Sequence, residues 1–229
     1  MRVDGLLFDK DGTLFDFGAT WNSWAAGMIR DFADGDAVMA ARIAAELDFD
    51  LPSEKFLPES VVIAGTNREA AEAVARAVPG QDVEEMELRL MHAAADAPLA
   101  PAVALAPFLD GLAGLGLRLG VMTNDTEYAA RAHLGEAGVA EKFHFIAGFD
   151  SGFGAKPAPG PLLAFADAVQ IDPARVAMVG DSTHDLIAGR AAGMQTIAVL
   201  TGVAGADELA PFADVVFPDI GHIAGWLAE

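Results

Sequence analysis

Apolar positions along the chain change period once near the start. Val3 to Leu7 hold a short apolar run, Val3-Asp4-Gly5-Leu6-Leu7, of the length of a buried strand. Trp21, Trp24, Ala25, Met28, Ile29 and Phe32 then fall at i, i+3, i+4, i+7, i+8 and i+11, which predicts an amphipathic helix with Thr20 as its N-cap. Packing of that helix into a core is the reading preferred for both tryptophans, over stacking on a substrate. An alanine-rich helix is expected over 37–47, followed by an irregular stretch at 48–60 with prolines at 52 and 58. Gly65-Thr66-Asn67 reads as a turn, with Asn67 capping a helix that runs to Val78 and stops at Pro79-Gly80. Val83, Met86, Leu90, Ala93, Ala94 and Ala97 give one more helical stripe. Residues 16–100 therefore read as an all-helical unit, left through Pro98 and Pro101.

From about residue 102 the pattern alternates. Helices are expected near 106–115, 126–137, 160–169 and 183–192, with strands at 117–122, 143–147, 175–179, 195–200 and 215–217, and a closing helix. Apolar strands alternating with helices predict an α/β fold, a Rossmann-like parallel sheet covered on both faces. Its core is discontinuous, 1–15 and 101–229, with the helical unit 16–100 inserted as a cap. Ligands of such sheets bind at the carboxyl ends of the strands, so chemistry belongs just after each strand.

The segments after the strands carry it. Phe8-Asp9-Lys10-Asp11-Gly12-Thr13-Leu14 follows the first. On extended chain Asp9 and Asp11 point to one side, Gly12 allows a sharp turn, and Gly12 and Thr13 offer an N–H and a hydroxyl beside them. One carboxylate can attack phosphorus and the other can move protons. Two such charges call for a cation, and Mg²⁺ prefers carboxylate oxygens. A surface Asp-Gly turn would use the same residues. Thr123-Asn124-Asp125 follows the next strand, as an anion site at a helix N-terminus or as a cap with Asn124 and Glu127 paired. Lys156, one of four lysines, lies in a loop of glycines and prolines, either solvated or facing a phosphoryl group. Gly180-Asp181-Ser182-Thr183-His184-Asp185 puts Asp181 at a strand end and Asp185 in the first helical turn, fit for a cation with Asp9 or for capping by Ser182. His184 reads as an exposed helix residue.

Charge narrows the partners. The 229 residues carry 14 Lys+Arg against 34 Asp+Glu, a formal net charge of −20, which argues against nucleic acid and anionic membranes. The absence of cysteine removes disulfides and thiolate metal sites. No run of 18 apolar residues occurs, and the chain enters a strand at once without a signal-peptide pattern, so a cytoplasmic location is expected. No heptad seam demands a dimer, and the oligomeric state stays open.

Taken together, Asp9-Lys10-Asp11-Gly12-Thr13, Thr123-Asn124, Lys156-Pro157 and Gly180-Asp181-Ser182 with Asp185 resemble, in order, the four motifs of the haloacid dehalogenase-like superfamily. Ala106-Pro107-Phe108-Leu109, Arg190-Ala191-Ala192-Gly193-Met194 and Leu200-Thr201-Gly202 are similar to its phosphoglycolate phosphatase-like branch. The resemblance implies a Mg²⁺-dependent phosphatase acting on a small phosphorylated metabolite. Asp9 would be the nucleophile, Asp11 the general acid/base, Thr123 and Asn124 holders of phosphoryl oxygens, and Lys156 the residue that orients Asp9. Mg²⁺ would bind Asp9, the Asp11 backbone carbonyl and Asp181, with Asp185 near. The second aspartate, Asp11, argues against dehalogenation. Gly65-Thr66-Asn67-Arg68-Glu69 resembles the substrate-selecting cap loop, where Arg68 is either a bidentate partner for an anionic leaving group or a surface arginine. Lys10 departs from the family's apolar residue, and its side chain is expected to point away from the aspartates. A phosphomutase of the β-phosphoglucomutase type shares the motifs; a receiver-like phosphoacceptor module would be about half as long and lack the insert.

Overall fold

A computed structural model describes residues 2–228. β1 (Gly5–Phe8) is buried throughout, and its side chains alternate between two cores. Leu6 and Phe8 join one apolar cluster with Leu105, Leu109 and Leu119. Leu7 joins another with Met122, Phe165 and Met178. A strand covered on both faces has no polar side to offer, which is why its sequence is a continuous apolar run.

The chain then leaves the sheet. α1 (Phe17–Ala33) and α2 (Ala37–Glu46) are followed by β2 (Phe49–Asp50) and β3 (Lys55–Phe56), then α3 (Val61–Ala64), α4 (Asn67–Ala77) and α5 (Val83–Ala95). They enclose their own apolar cluster, including Trp21, Ile29, Ile43, Val74 and Met86. The stretch expected to be irregular holds a small antiparallel hairpin, Phe49 opposite Phe56 with ring centroids 5.0 Å apart. The insert is thus helical with one short hairpin, because two phenylalanines pair across it to reach the core.

Two caps differ from expectation. Asp16 opens α1, its carboxylate accepting from Ala19 N at 2.8 Å. Thr20 sits one turn inside, buried, and its hydroxyl has no partner among the described residues. Thr66 rather than Asn67 opens α4, in a capping box with Glu69, while the Asn67 amide donates to the Glu87 carbonyl at 3.1 Å. Asp16 and Thr66 keep extended backbone, as an N-cap must; Thr20 and Asn67 already lie within the helices.

The remaining elements are α6 (Leu105–Gly114), β4 (Arg118–Met122), α7 (Glu127–Glu136), β5 (Phe145–Ala147), α8 (Gly160–Ala168), β6 (Val176–Gly180), α9 (Thr183–Ala191), β7 (Gln195–Val199), α10 (Ala206–Leu209), β8 (Val215–Phe217) and α11 (Ile223–Ala228). The six-stranded sheet runs β5-β4-β1-β6-β7-β8, all parallel. Leu7 lies opposite Gly120 on one side and Met178 on the other. Winding proceeds outward from β1 in both directions, so the switch point falls between β1 and β6, where a crevice forms beyond the strand ends. No helix among the described residues is long and apolar enough to cross a membrane.

The cap assignment can be checked by a pair of variants. Asp16→Ala should lower the unfolding free energy by about 1 kcal/mol, the usual cost of a lost N-cap. Thr20→Val should be neutral or stabilising, because it removes a buried hydroxyl that makes no hydrogen bond. Urea melts showing the reverse order would return the cap to Thr20.

Candidate active site

The switch point gathers acids. Asp9 continues β1, its N–H donating to Val179 O at 2.8 Å, and Asp181 follows β6. Asp185 stands in the first turn of α9, where Ser182 Oγ and N both donate to its Oδ2 at 2.7 and 3.1 Å. Oxygens of Asp9, Asp181 and Asp185, all buried, lie within 4.8 Å of one another. Lys156 answers part of this charge: its Nζ donates to Asp9 Oδ1 at 2.5 Å, Asp185 Oδ1 at 2.6 Å and Met122 O at 3.0 Å. That uses all three ammonium protons.

The electrostatics follow. Burial pushes the Asp9 carboxyl up to about 7, with Lys156 opposing and Asp185 and Asp11 adding repulsion. Burial, then Asp9 and Asp185, hold Asp181 well above the usual carboxylate range. Burial works against the Lys156 charge, but Asp185 and Asp9 together outweigh it and raise its pKa. One lysine thus leaves the cluster short of positive charge, and a small oxygen-seeking divalent cation fits that deficit. Asp9 and Asp181 are the open ligands. Both Asp185 oxygens are already engaged, by Lys156 and Ser182, so Asp185 fits better as a support behind them.

Glycine makes room for Asp181. A side chain at Gly12, which has φ +79°, or at Gly202 would collide with its carboxylate. Thr201 Oγ1 ties the two loops together by donating to Gly12 O at 2.6 Å. In the sequence Thr201 and Gly202 stand only as flanking residues, because the Thr201–Gly12 hydrogen bond joins positions 189 apart in the chain.

Several expected donors are committed elsewhere. Gly12 N donates to Phe15 O at 2.7 Å, and Thr13 Oγ1 donates to Asp181 Oδ1 at 3.1 Å. Both stabilise the loop and its acid instead of facing a ligand. The Asn124 side chain clamps the lysine loop: its Oδ1 accepts from Lys156 N at 2.9 Å, and its Nδ2 donates to Lys156 O at 2.9 Å and Ala64 O at 2.8 Å. It forms no cap pair with Glu127, since Thr126 caps α7. Thr123 is buried at the cavity, and its Oγ1 accepts from Asp125 N, leaving its hydroxyl proton to donate.

Lys10 overturns the expectation drawn for it. Its side chain is fully buried and turns back to the acids, with Nζ 2.7 Å from Asp11 Oδ2, 3.1 Å from Asp125 Oδ2 and 3.0 Å from His133 Nδ1. The alternation rule fails because the strand ends at Phe8 and the chain coils over 10–15, with Leu14 N bonded back to Lys10 O. Asp11 and Asp125 together outweigh the cost of burying the ammonium. His133 is held below its usual pKa by burial and by Lys10, so it is neutral; Nε2–H then donates to Ala94 O and Nδ1 accepts from Lys10. Asp11 Oδ1 also accepts from Trp21 Nε1 at 2.9 Å. A buried lysine between two aspartates was the available signal for this network.

Arg68 lies at the surface, the second of the two readings left open for it. It pairs with Glu72 at 3.3 Å and Glu87 at 2.8 Å, half-exposed, in a separate groove with Glu84. Helical spacing explains it, since Glu72 lies at i+4. The cavity above the acids is lined from the insert by Trp21, Trp24, Val62 and Ile63 instead, and His184 is half-buried at its edge. The tryptophans pack in their helix core as expected and also face this cavity.

Acids and a buried lysine at the carboxyl edge of a parallel sheet define an α/β enzyme-type site. The chain belongs to the haloacid dehalogenase-like hydrolases, whose family model matches residues 3–193. It is 37% identical over 119 residues to phosphoglycolate phosphatase of Rhodospirillum rubrum, covering 52% of this chain and 49% of that protein. The chain thus spans about half the length of the phosphoglycolate phosphatases it matches first. N-acetylmuramic acid 6-phosphate phosphatase of Pseudomonas aeruginosa is 30% identical over 215 residues, 88% of this chain and 84% of that one. Among solved structures, a HAD family hydrolase from Deinococcus radiodurans R1, with bound phosphate and sodium, superposes with TM-score 0.69 at 21% identity, covering 99% of this chain and 96% of that one. The β-phosphoglucomutase of Clostridium difficile gives TM-score 0.67 at 16% identity, covering 99% and 100%. At these identities the likeness concerns the fold.

Removing the Lys10 charge tests the network. Lys10→Met should lower the unfolding free energy by about 3 kcal/mol, the cost of leaving buried acids without their cation. Adding Asp125→Asn should recover part of the loss by removing one of the two acids. An unchanged urea midpoint for the single variant would show that Lys10 does not hold them.

Proposed function

We propose that the protein is a Mg²⁺-dependent phosphatase that hydrolyses a small phosphomonoester through an aspartyl-phosphate on Asp9. The observation that carries this reading is the Asp9–Lys156–Asp185 array with Asp181 beside it, at the switch point and open to the cavity. Lys156 occupies Asp9 Oδ1 and fixes the rotamer, leaving the other oxygen as the nucleophile. That oxygen attacks phosphorus, and the bond from phosphorus to the leaving oxygen breaks. Asp11 gives the leaving oxygen a proton, then takes one from the water that attacks the aspartyl-phosphate. Phosphate departs and Asp9 is restored. Thr123 Oγ donates to a phosphoryl oxygen, and Lys156 offsets charge in the transition state. Asn124 acts one step back, by holding the Lys156 loop. Asp9 and Asp181 would hold Mg²⁺, supported by Asp185, and the ion supplies charge neutralisation at the phosphoryl group.

Asp9→Asn should fold as the parent does and release no phosphate above background from any phosphomonoester, since an amide cannot form the acyl-phosphate. Activity near the parent's would remove Asp9 from the chemistry. A β-phosphoglucomutase-type reaction would instead isomerise a sugar phosphate with little release.

The cation has a thermal signature of its own. Asp9 titrates at about 7 in the fold against 3.8 unfolded, so the fold keeps an extra proton between those values. Its contribution to stability is fully present below 3.8 and is lost as pH rises through about 7. Asp181 shifts the same way. A bound cation takes the proton's place, so Mg²⁺ should raise the Tm more at pH 8 than at pH 5. An equal increment at both values would mean that Mg²⁺ binds elsewhere.

A further inference from the structure

The cap wall of the cavity has a composition that bears on what leaves with the phosphate. A cavity opens above Asp9, between the acids of the core and the helices of the insert. On the side away from the acids its wall is Trp21, Trp24, Val62, Ile63, Leu90 and Ala94. The indoles meet edge to face, centroids 5.1 Å apart. Each is pinned by its own N–H, Trp21 to Asp11 and Trp24 to Ala93 O at 2.9 Å. They present fixed hydrocarbon, with their hydrogen-bonding protons spent.

Most polar groups of this wall are engaged as well. Thr66 is closed in its capping box with Glu69, and the Asn67 amide gives one of its two protons to Glu87 O. The one lysine or arginine among the described residues lining the cavity is Lys156, whose three protons are committed. Arg68, the cation that an anionic leaving group would need, is bound to Glu72 and Glu87 in the separate groove. The adjoining wider cavity carries Glu59, Glu69 and Glu208, so the approach is acidic too. A carboxylate or second phosphate on the leaving group would lose water against this wall with only His184, at the cavity's edge, and one Asn67 amide proton to meet it. A sugar would leave its hydroxyls unpaired against the indoles.

Building on the phosphatase reading, we infer that the substrate's leaving group is an uncharged alcohol carrying an apolar ring, seated against Trp21 and Trp24. The phosphoryl end goes to the acids and Lys156; the ring goes to the indoles, where stacking and burial favour it over an acyclic anion.

The test is a matched series: benzyl phosphate, 4-carboxybenzyl phosphate, phosphoglycolate and, as a reporter of the phosphoryl chemistry alone, acetyl phosphate. Phosphate release is followed with Mg²⁺ present. We expect kcat/KM for benzyl phosphate to exceed that of 4-carboxybenzyl phosphate and phosphoglycolate by about tenfold or more. Trp24→Ala should raise KM for benzyl phosphate about tenfold, and more than for acetyl phosphate. Ile63→Lys, on a half-exposed wall position, should cut the benzyl over carboxybenzyl preference about tenfold by supplying the missing cation. Arg68→Ala should leave that preference within about twofold. Hydrolysis of acetyl phosphate with equal or better turnover of the carboxylate-bearing esters overturns this inference and leaves the phosphatase reading standing. No phosphate from any of the four overturns the phosphatase reading itself.

Discussion

Three buried carboxylates within 4.8 Å of one another set the terms for this structure. Like charges in a low-dielectric site repel strongly, and in a chain of net charge −20 the surroundings do little to relieve them. Lys156 is the partial answer. It can serve only because its loop is fixed from two sides, by Asn124 on its backbone and by Met122 O on its ammonium. The sheet order matters for the same reason: β1 and β6 are neighbours, so Asp9 and Asp181 emerge side by side, and β4 delivers Asn124 to the lysine loop. Glycines at 12 and 202 then let two loops close over Asp181. The incomplete neutralisation that results, visible in the raised Asp9 and Asp181 carboxyls, is what makes the site receptive to a cation.

The second buried lysine solves a related problem one step away. Lys10 joins Asp11 to Asp125 and to the neutral His133, whose far nitrogen reaches Ala94 in α5. Asp11 is also held by Trp21 of α1. The general acid/base proposed here is therefore anchored to two helices of the insert as well as to the core. A change in the seating of the insert would be felt at Asp11 before it is felt at Asp9, because Asp9 takes its side-chain bond from the core alone.

Sheet and site were legible in the sequence to different depths. Strands were readable because each is a short apolar run between glycine-rich or polar turns, and the acids were readable because a parallel sheet places chemistry at its carboxyl edge. Helix starts were less so. Asp16 and Thr20, or Thr66 and Asn67, are all good caps in isolation, and backbone conformation chooses between them. Lys10 was misread because period-two alternation was carried past Phe8, where the strand had ended. For Arg68 two readings stay open in the sequence for want of tertiary information: Glu72 at i+4 is visible, but Glu87, its closer partner, comes from α5. The same gap keeps the sequence from choosing between core packing and substrate stacking for the tryptophans. Helical spacing shows that Trp21 and Trp24 share a face, but not that part of that face borders a cavity.

Core and insert divide the work along a chemical line. The floor of the cavity is charged, and each of its acids or lysines is tied to another element of the core. The insert's wall is apolar, and its few polar atoms are turned inward to cap or brace its own helices. Exchange of an apolar wall residue changes shape and transfer energy by a few kcal/mol at most, and it leaves the charge balance below untouched. Exchange of a floor residue strands a buried charge. Selectivity can therefore vary in the insert while the phosphoryl chemistry proposed for the floor stays fixed. This separation breaks where Trp21 meets Asp11, where Asn124 meets Ala64 and where His133, behind Lys10, meets Ala94, contacts that join the insert to the charged floor.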